Sequence, residues 1–147
     1  MLNRVLILIL ASITTTYARV KYYAKDSKQT FDQAQSACLA SNQTLAFIYN
    51  RTLQIKLVKS VAKKYGSKQP GALWVGVKKM DDGMWGWTNN ANATKYPIPN
   101  WNKNHPKEGR NCAVFVLKTK ALSSVDCAKN LTSACFRTDE TFETNKL

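Results

Sequence analysis

The stretch LWVGVKKMDDGMWGW, Leu73 to Trp87, carries three of the chain's four tryptophans. Leu73 to Lys79 opens on large apolar and β-branched residues and reads as a buried strand. Asp81-Asp82-Gly83 is a turn signal. Trp85-Gly86-Trp87 alternates, so both indoles leave the same face of an extended segment. Trp74, Trp85, Trp87 and Trp101 are large enough to form a core for a region with little regular structure. A core role is preferred to sugar stacking for the first three. Trp101 borders an open loop.

Downstream, Thr88 to Asn111 is polar and holds Pro97, Pro99, Pro106 and Gly109. It is too long for an ordinary connection, which points to a functional or well-anchored segment. Its second half, with the following cysteine, reads WNKNHPKEGRNC, Trp101 to Cys112, and contains the chain's one histidine. Lys103, His105, Lys107 and Arg110 make this loop basic. Such a loop can hold a sulfate, phosphate or carboxylate through charge-assisted hydrogen bonds; a solvated loop without a ligand is the equal alternative. A lone histidine without partners is a poor zinc or copper site. Three short strands are expected to close the domain: CAVFVL from Cys112, a segment around Val125-Asp126-Cys127, and ACFR from Ala134.

Upstream, VKYYA, Val20 to Ala24, has strand character. Thr30-Phe31-Asp32-Gln33 forms a capping box for the helix FDQAQSACLA, with Phe31, Ala34 and Cys38 on one side. TLAFIY, Thr44 to Tyr49, reads as a strand. Asn50 caps a second helix, Arg51 to Tyr65, which stops at Gly66. Leu53, Leu57, Val58, Val61 and Tyr65 form its apolar stripe, with Lys56, Lys59 and Lys63 opposite.

The 147 residues fit one domain with a real core. Residues 1–18 read as a secretory signal peptide: Arg4, a short apolar run from Val5 to Ile13, and small residues ending at Ala18. No later stretch is apolar enough to be transmembrane. Residues 19–138 form the domain, and 139–147 are a polar tail expected to be disordered. In an oxidising compartment Cys38, Cys112, Cys127 and Cys135 argue for two disulfides, with three possible pairings. The zinc alternative lacks CxxC or HxxxH spacing. Four sequons, at Asn42, Asn50, Asn92 and Asn130, fit the same compartment. Asn50 is claimed both as a cap and as a sequon.

The net charge is +13. No acidic residue occurs from Gln33 to Met80, whereas Arg51, Lys56, Lys59, Lys63, Lys64, Lys68, Lys78 and Lys79 are basic. Such a face concentrates anionic partners. Outside the cell these are sulfated or sialylated glycans or microbial envelopes rather than nucleic acid. Lysines that merely solvate a helix face are the even alternative.

Taken together, several motifs resemble the C-type lectin-like domain. They are Phe31-x-x-Ala34-x-x-x-Cys38, Leu73-Trp74-Val75-Gly76-Val77, Gly83-x-Trp85-x-Trp87, Trp101, Pro106, Cys112, and Cys127 eight residues before Cys135. The resemblance spans roughly Tyr22 to Arg137. It implies an α+β fold of two helices and two small antiparallel sheets with a long loop region. It also implies two disulfides, Cys38–Cys135 clamping the domain and Cys112–Cys127 clamping the loop region.

In calcium-dependent lectins of this family, sugar hydroxyls coordinate a loop-bound calcium held by oxygen ligands. Aligned on Pro106, this chain places His105 and Lys107 at two of those positions. Arg110 stands at a third, and Leu122-Ser123-Ser124 lies where Trp-Asn-Asp is expected. Calcium takes six to eight hard oxygen ligands, usually including carboxylates. Two cations and two hydroxyls do not supply them, so no metal or other cofactor is expected.

An enzyme is not indicated. The single histidine and fully paired cysteines leave no nucleophile and base, no pair of placed carboxylates stands out, and there is no phosphate-cradling glycine loop. Two functions fit. One is a secreted lectin-like protein that binds extracellular glycans or glycoproteins without calcium, favouring acidic ones, with Trp101, Lys103, His105, Lys107 and Arg110 as ligand-binding residues and Lys56, Lys59 and Lys63 as a basic face. The other is a protein-binding module that has lost sugar binding. A cationic antimicrobial role fits less well, because the charge is spread over a folded domain. The sequence does not set the oligomeric state.

Overall fold

A computed structural model describes residues 20–138. The expected signal peptide and the polar tail lie outside the described residues.

Both helices begin where their caps direct. Helix α1, Phe31–Ala40, opens with a reciprocal capping box. The Gln33 N–H donates to the Thr30 hydroxyl at 3.3 Å, and the Thr30 N–H donates to Gln33 Oε1 at 3.1 Å. Helix α2, Arg51–Tyr65, is capped by Asn50, whose Oδ1 accepts the Leu53 N–H at 2.9 Å. It ends at Gly66, whose φ of 56° suits glycine. The buried side chains of α2 are Leu53, Leu57 and Val61, the spine of the expected stripe.

The strands are β1 Val20–Gln29, β2 Thr44–Leu45, β3 Ala72–Lys79, β4 Trp85–Trp87, β5 Cys112–Val116, β6 Ala121–Val125 and β7 Leu131–Thr138. β1 and β2 pair antiparallel with β7, while β4 and β5 pair with β3 and β6 with β5 in the same sense. These two antiparallel groups meet at one parallel pair, Trp74 beside Ser133. The result is one hydrogen-bonded sheet in the order β1-β7-β3-β5-β6.

Three strand expectations need correction. Only Thr44 and Leu45 of TLAFIY are strand. Ala46, Phe47 and Ile48 are buried but irregular, because their backbone serves different partners. Ala46 N–H donates to Ala134 O, and its carbonyl accepts from Gly76 N–H. The Phe47 carbonyl accepts the Tyr22 hydroxyl at 2.6 Å, and that of Ile48 the Gln54 amide at 3.1 Å. The strand expected around Cys127 is β6, which stops at Val125. The strand expected from Ala134 begins at Leu131.

Two apolar clusters sit against the sheet. In one, Phe31, Ala34 and Cys38 of α1 pack with Leu45, Trp74, Val114 and Cys135. Trp74 meets Phe31 edge to face at 5.5 Å, and its indole N–H donates to Gln29 O at 2.9 Å. In the other, the α2 stripe packs with Val75, Val77, Phe115 and a ring cluster around Phe47. Phe47 touches Trp87 at 4.8 Å and Tyr96 at 5.5 Å, both edge to face. Cys38 bonds Cys135 and Cys112 bonds Cys127, the pairing the resemblance implied.

Candidate functional site: the loop between β4 and β5

Residues 88–111 run from β4 to β5 with no helix or strand of their own. The backbone is nevertheless tied down at each stage. The buried Trp87 donates its indole N–H to the Tyr96 carbonyl at 2.7 Å. Asn92 turns the chain back by accepting the Thr94 N–H at 2.8 Å. The chain then runs beside β6, where Leu122 donates to Asn100 O and accepts from Asn102 N–H, both at 2.8 Å. Trp101 therefore pairs with Leu122, while its ring packs on Trp85 at 4.6 Å. At the loop's end Lys79 N–H donates to Asn111 O at 2.8 Å.

The region around His105 is built on β6 by polar groups. Asn102 Nδ2 donates to Ser123 Oγ at 3.0 Å. The Ser124 N–H donates to His105 Nδ1 at 3.0 Å, and the Ser124 hydroxyl lies 3.2 Å from the same nitrogen. That hydroxyl also accepts the Lys107 N–H at 2.7 Å. A cis peptide joins His105 to Pro106. Ser124 is fully buried, so its N–H and hydroxyl need partners, and the loop supplies both. Burial, then the charges of Lys107 and Arg110, hold the His105 imidazole below the usual histidine range.

His105, Lys107, Ser123 and Ser124 thus come together, with Arg110 near enough to act on His105. Lys103, Lys107 and Arg110 are exposed, so the surface of this loop is cationic. Trp101 is half-buried and engaged with Trp85. Lys56, Lys59 and Lys63 are elsewhere, on α2 beside β1. The pairing of Asn102 and Ser123 was not anticipated; no local pattern signals a bond across 21 positions. Of the sequons, Asn42, Asn92 and Asn130 are exposed and Asn50 is half-buried at its cap. Among the described residues, no three His, Cys, Asp or Glu side chains form a metal-sized group, and no helix is long and apolar enough to cross a membrane.

A sheet of two antiparallel groups, two flanking helices, two disulfides and a long anchored loop define a lectin-like recognition domain. Residues 27–137 match the profile of the lectin C-type domain, and the chain belongs to that family. The human early activation antigen CD69 is 30% identical over 119 residues, which cover 81% of this chain and 52% of CD69. The chain therefore spans about half the length of that relative.

Solved structures with the same fold include a calcium-independent type II antifreeze protein, with TM-score 0.68 and 19% identity over 82% of this chain and 87% of that one. Human lithostathine has TM-score 0.72 and 14% identity over 82% and 85%. The carbohydrate-recognition domain of the mouse scavenger receptor C-type lectin has TM-score 0.69 and 21% identity over 84% and 91%.

Proposed function

We propose that this chain is a secreted, non-catalytic recognition protein that binds acidic glycans or the glycoproteins bearing them, without calcium, through the loop between β4 and β5. One observation carries the reading. The positions where the family resemblance expects calcium's oxygen ligands hold His105, Lys107, Arg110, Ser123 and Ser124, and His105 and Ser124 are bonded to each other. That donor set does not fit calcium. It offers an imidazole, two cations and two hydroxyls, with no carboxylate among them, to an ion that takes six to eight hard oxygens. The same change leaves Lys103, Lys107 and Arg110 exposed as anion donors in place of metal ligands. The two disulfides and the leader-like first 18 residues support an extracellular site of action.

A second reading is docking of a protein partner. It is favoured by Met84, 68% exposed and adjacent to the half-buried Trp85–Trp101 pair.

The test is an array of neutral and acidic glycans, probed with calcium and with EDTA at two salt concentrations. Binding to acidic glycans that ignores EDTA and weakens with salt is expected. Binding abolished by EDTA overturns the calcium-free reading. No glycan binding, together with a stoichiometric protein partner in the native fluid, favours the second reading.

A further inference from the structure

Away from the loop, β1 and the outer face of α2 frame an open groove of about 330 Å³. Lys56, Lys59 and Lys63 line it from the helix and Lys21 from the strand. Val20, Tyr22 and Tyr23 contribute its less polar wall. None of the described residues lining it is acidic. Lys56 is half-buried there, and burial, followed by the charge of Lys21, holds its ammonium below the usual lysine range. The Lys21 and Lys56 charges thus act on each other in a partly dry place, which adds to the positive potential of the groove.

The spacing says what kind of anion. Lys56, Lys59 and Lys63 fall on one face of α2 at helical intervals, and seven residues of helix cover roughly 10 Å. Ammonium groups spread along that length match a ligand with several negative groups in a row better than one small anion. All four cations are lysines, compact point charges that pair with anionic oxygens without the fixed fork of an arginine, so a flexible, multiply charged chain can be met along its length. The lysine stems offer apolar surface to the ring faces of a sugar.

From this geometry we infer a second binding site, the groove between β1 and α2, for a linear sulfated glycan. It is built on different elements from the loop and goes beyond the reading given for that loop.

The test uses the full chain and a heparin-derived octasaccharide, with affinity measured by calorimetry across a salt series. Replacing the three helix lysines together, Lys56→Gln, Lys59→Gln and Lys63→Gln, is expected to weaken binding about tenfold or more and flatten its salt dependence. The corresponding Lys→Arg triple keeps the charge and is expected to keep most of the affinity, which separates lost charge from lost structure. A control triple at exposed lysines outside both the groove and the loop, Lys28→Gln, Lys118→Gln and Lys129→Gln, is expected to bind the octasaccharide as the parent does. Unchanged binding by the helix Gln triple overturns the site. So does an equal loss in the control triple, or equal binding of a single-stranded DNA of the same charge. Failure of the loop to bind acidic glycans on the array leaves all of these readouts unaffected.

Discussion

His105 and Ser124 hold the loop to β6 through a single ring nitrogen: the Ser124 N–H donates to Nδ1 at 3.0 Å, with the Ser124 hydroxyl 3.2 Å from it. An acceptor Nδ1 requires the neutral ring with its proton on Nε2. Protonating Nδ1 would set one donor against another. The folded chain therefore binds this proton less readily than the unfolded chain, in line with the lowered pKa. Its stabilising effect is present above the ordinary value of 6.5 and is lost as pH falls below it. Between about pH 7.5 and about pH 5 the melting temperature is expected to fall more in the parent than in His105→Gln. Identical pH profiles would show that the ring is not coupled to stability.

Gly76 explains why the LWVGV motif needs a residue without a side chain. A Cβ there would lie 3.0 Å from both the Leu45 carbonyl and Thr88 Oγ1, and 3.3 Å from the Ala46 carbonyl. The approach is fixed by bonds from Gly76 N–H to Ala46 O and from Thr88 N–H to Gly76 O. Two of the three obstacles are backbone and cannot swing aside. Gly76→Ala is expected to cost about 1–3 kcal/mol in urea unfolding. An unchanged midpoint would mean that these segments separate freely.

Calcium should leave the protein thermally indifferent. A ligand that binds only the native state raises stability with its concentration. Melting curves in millimolar calcium and in EDTA are expected to coincide. A calcium-dependent rise reversed by EDTA would locate a metal site that the chemistry of the β4–β5 loop does not provide.

The two disulfides should contribute unequally. Cys38 and Cys135 are 97 residues apart, against 15 for Cys112 and Cys127. In the chain-entropy account the longer closure is worth about 4.7 kcal/mol and the shorter about 3 kcal/mol. Paired Cys→Ala variants, compared by denaturant unfolding, are expected to follow that order. The shorter bridge ends beside the loop, so its loss should also raise amide exchange from Trp101 to Asn111. Equal losses from both variants would point to native-state strain or residual unfolded-state structure.

How much was legible follows from the range of each interaction. Both helices could be read because their caps act across three residues: Thr30 with Gln33, and Asn50 with Leu53. β3 could be read because Leu73 to Val77 are all buried. β6 was misplaced because ALSSV has only two large apolar residues, and its Ser124 is buried through a partner 19 positions away. Phe47 and Ile48 looked like strand because they are apolar, yet side chains from β1 and α2 take up their carbonyls. At the loop, the residue types were legible one by one. That His105 and Lys107 would both bond Ser124 depends on the tertiary fold. Lys21 gave no local sign that it would face the α2 lysines.

Val20 pairs with Thr138 where β1 meets β7. Both ends of the described chain thus leave from one margin of the sheet, whereas the β4–β5 loop is fastened to β6 at the other. Four strand spacings, roughly 19 Å, separate the two margins. A tether or surface attached beside Val20 or Thr138 would hold the domain like a handle, presenting the loop outward. The same attachment would crowd Lys21 and the helix lysines, so immobilised protein is expected to retain loop-directed binding while losing access to the groove.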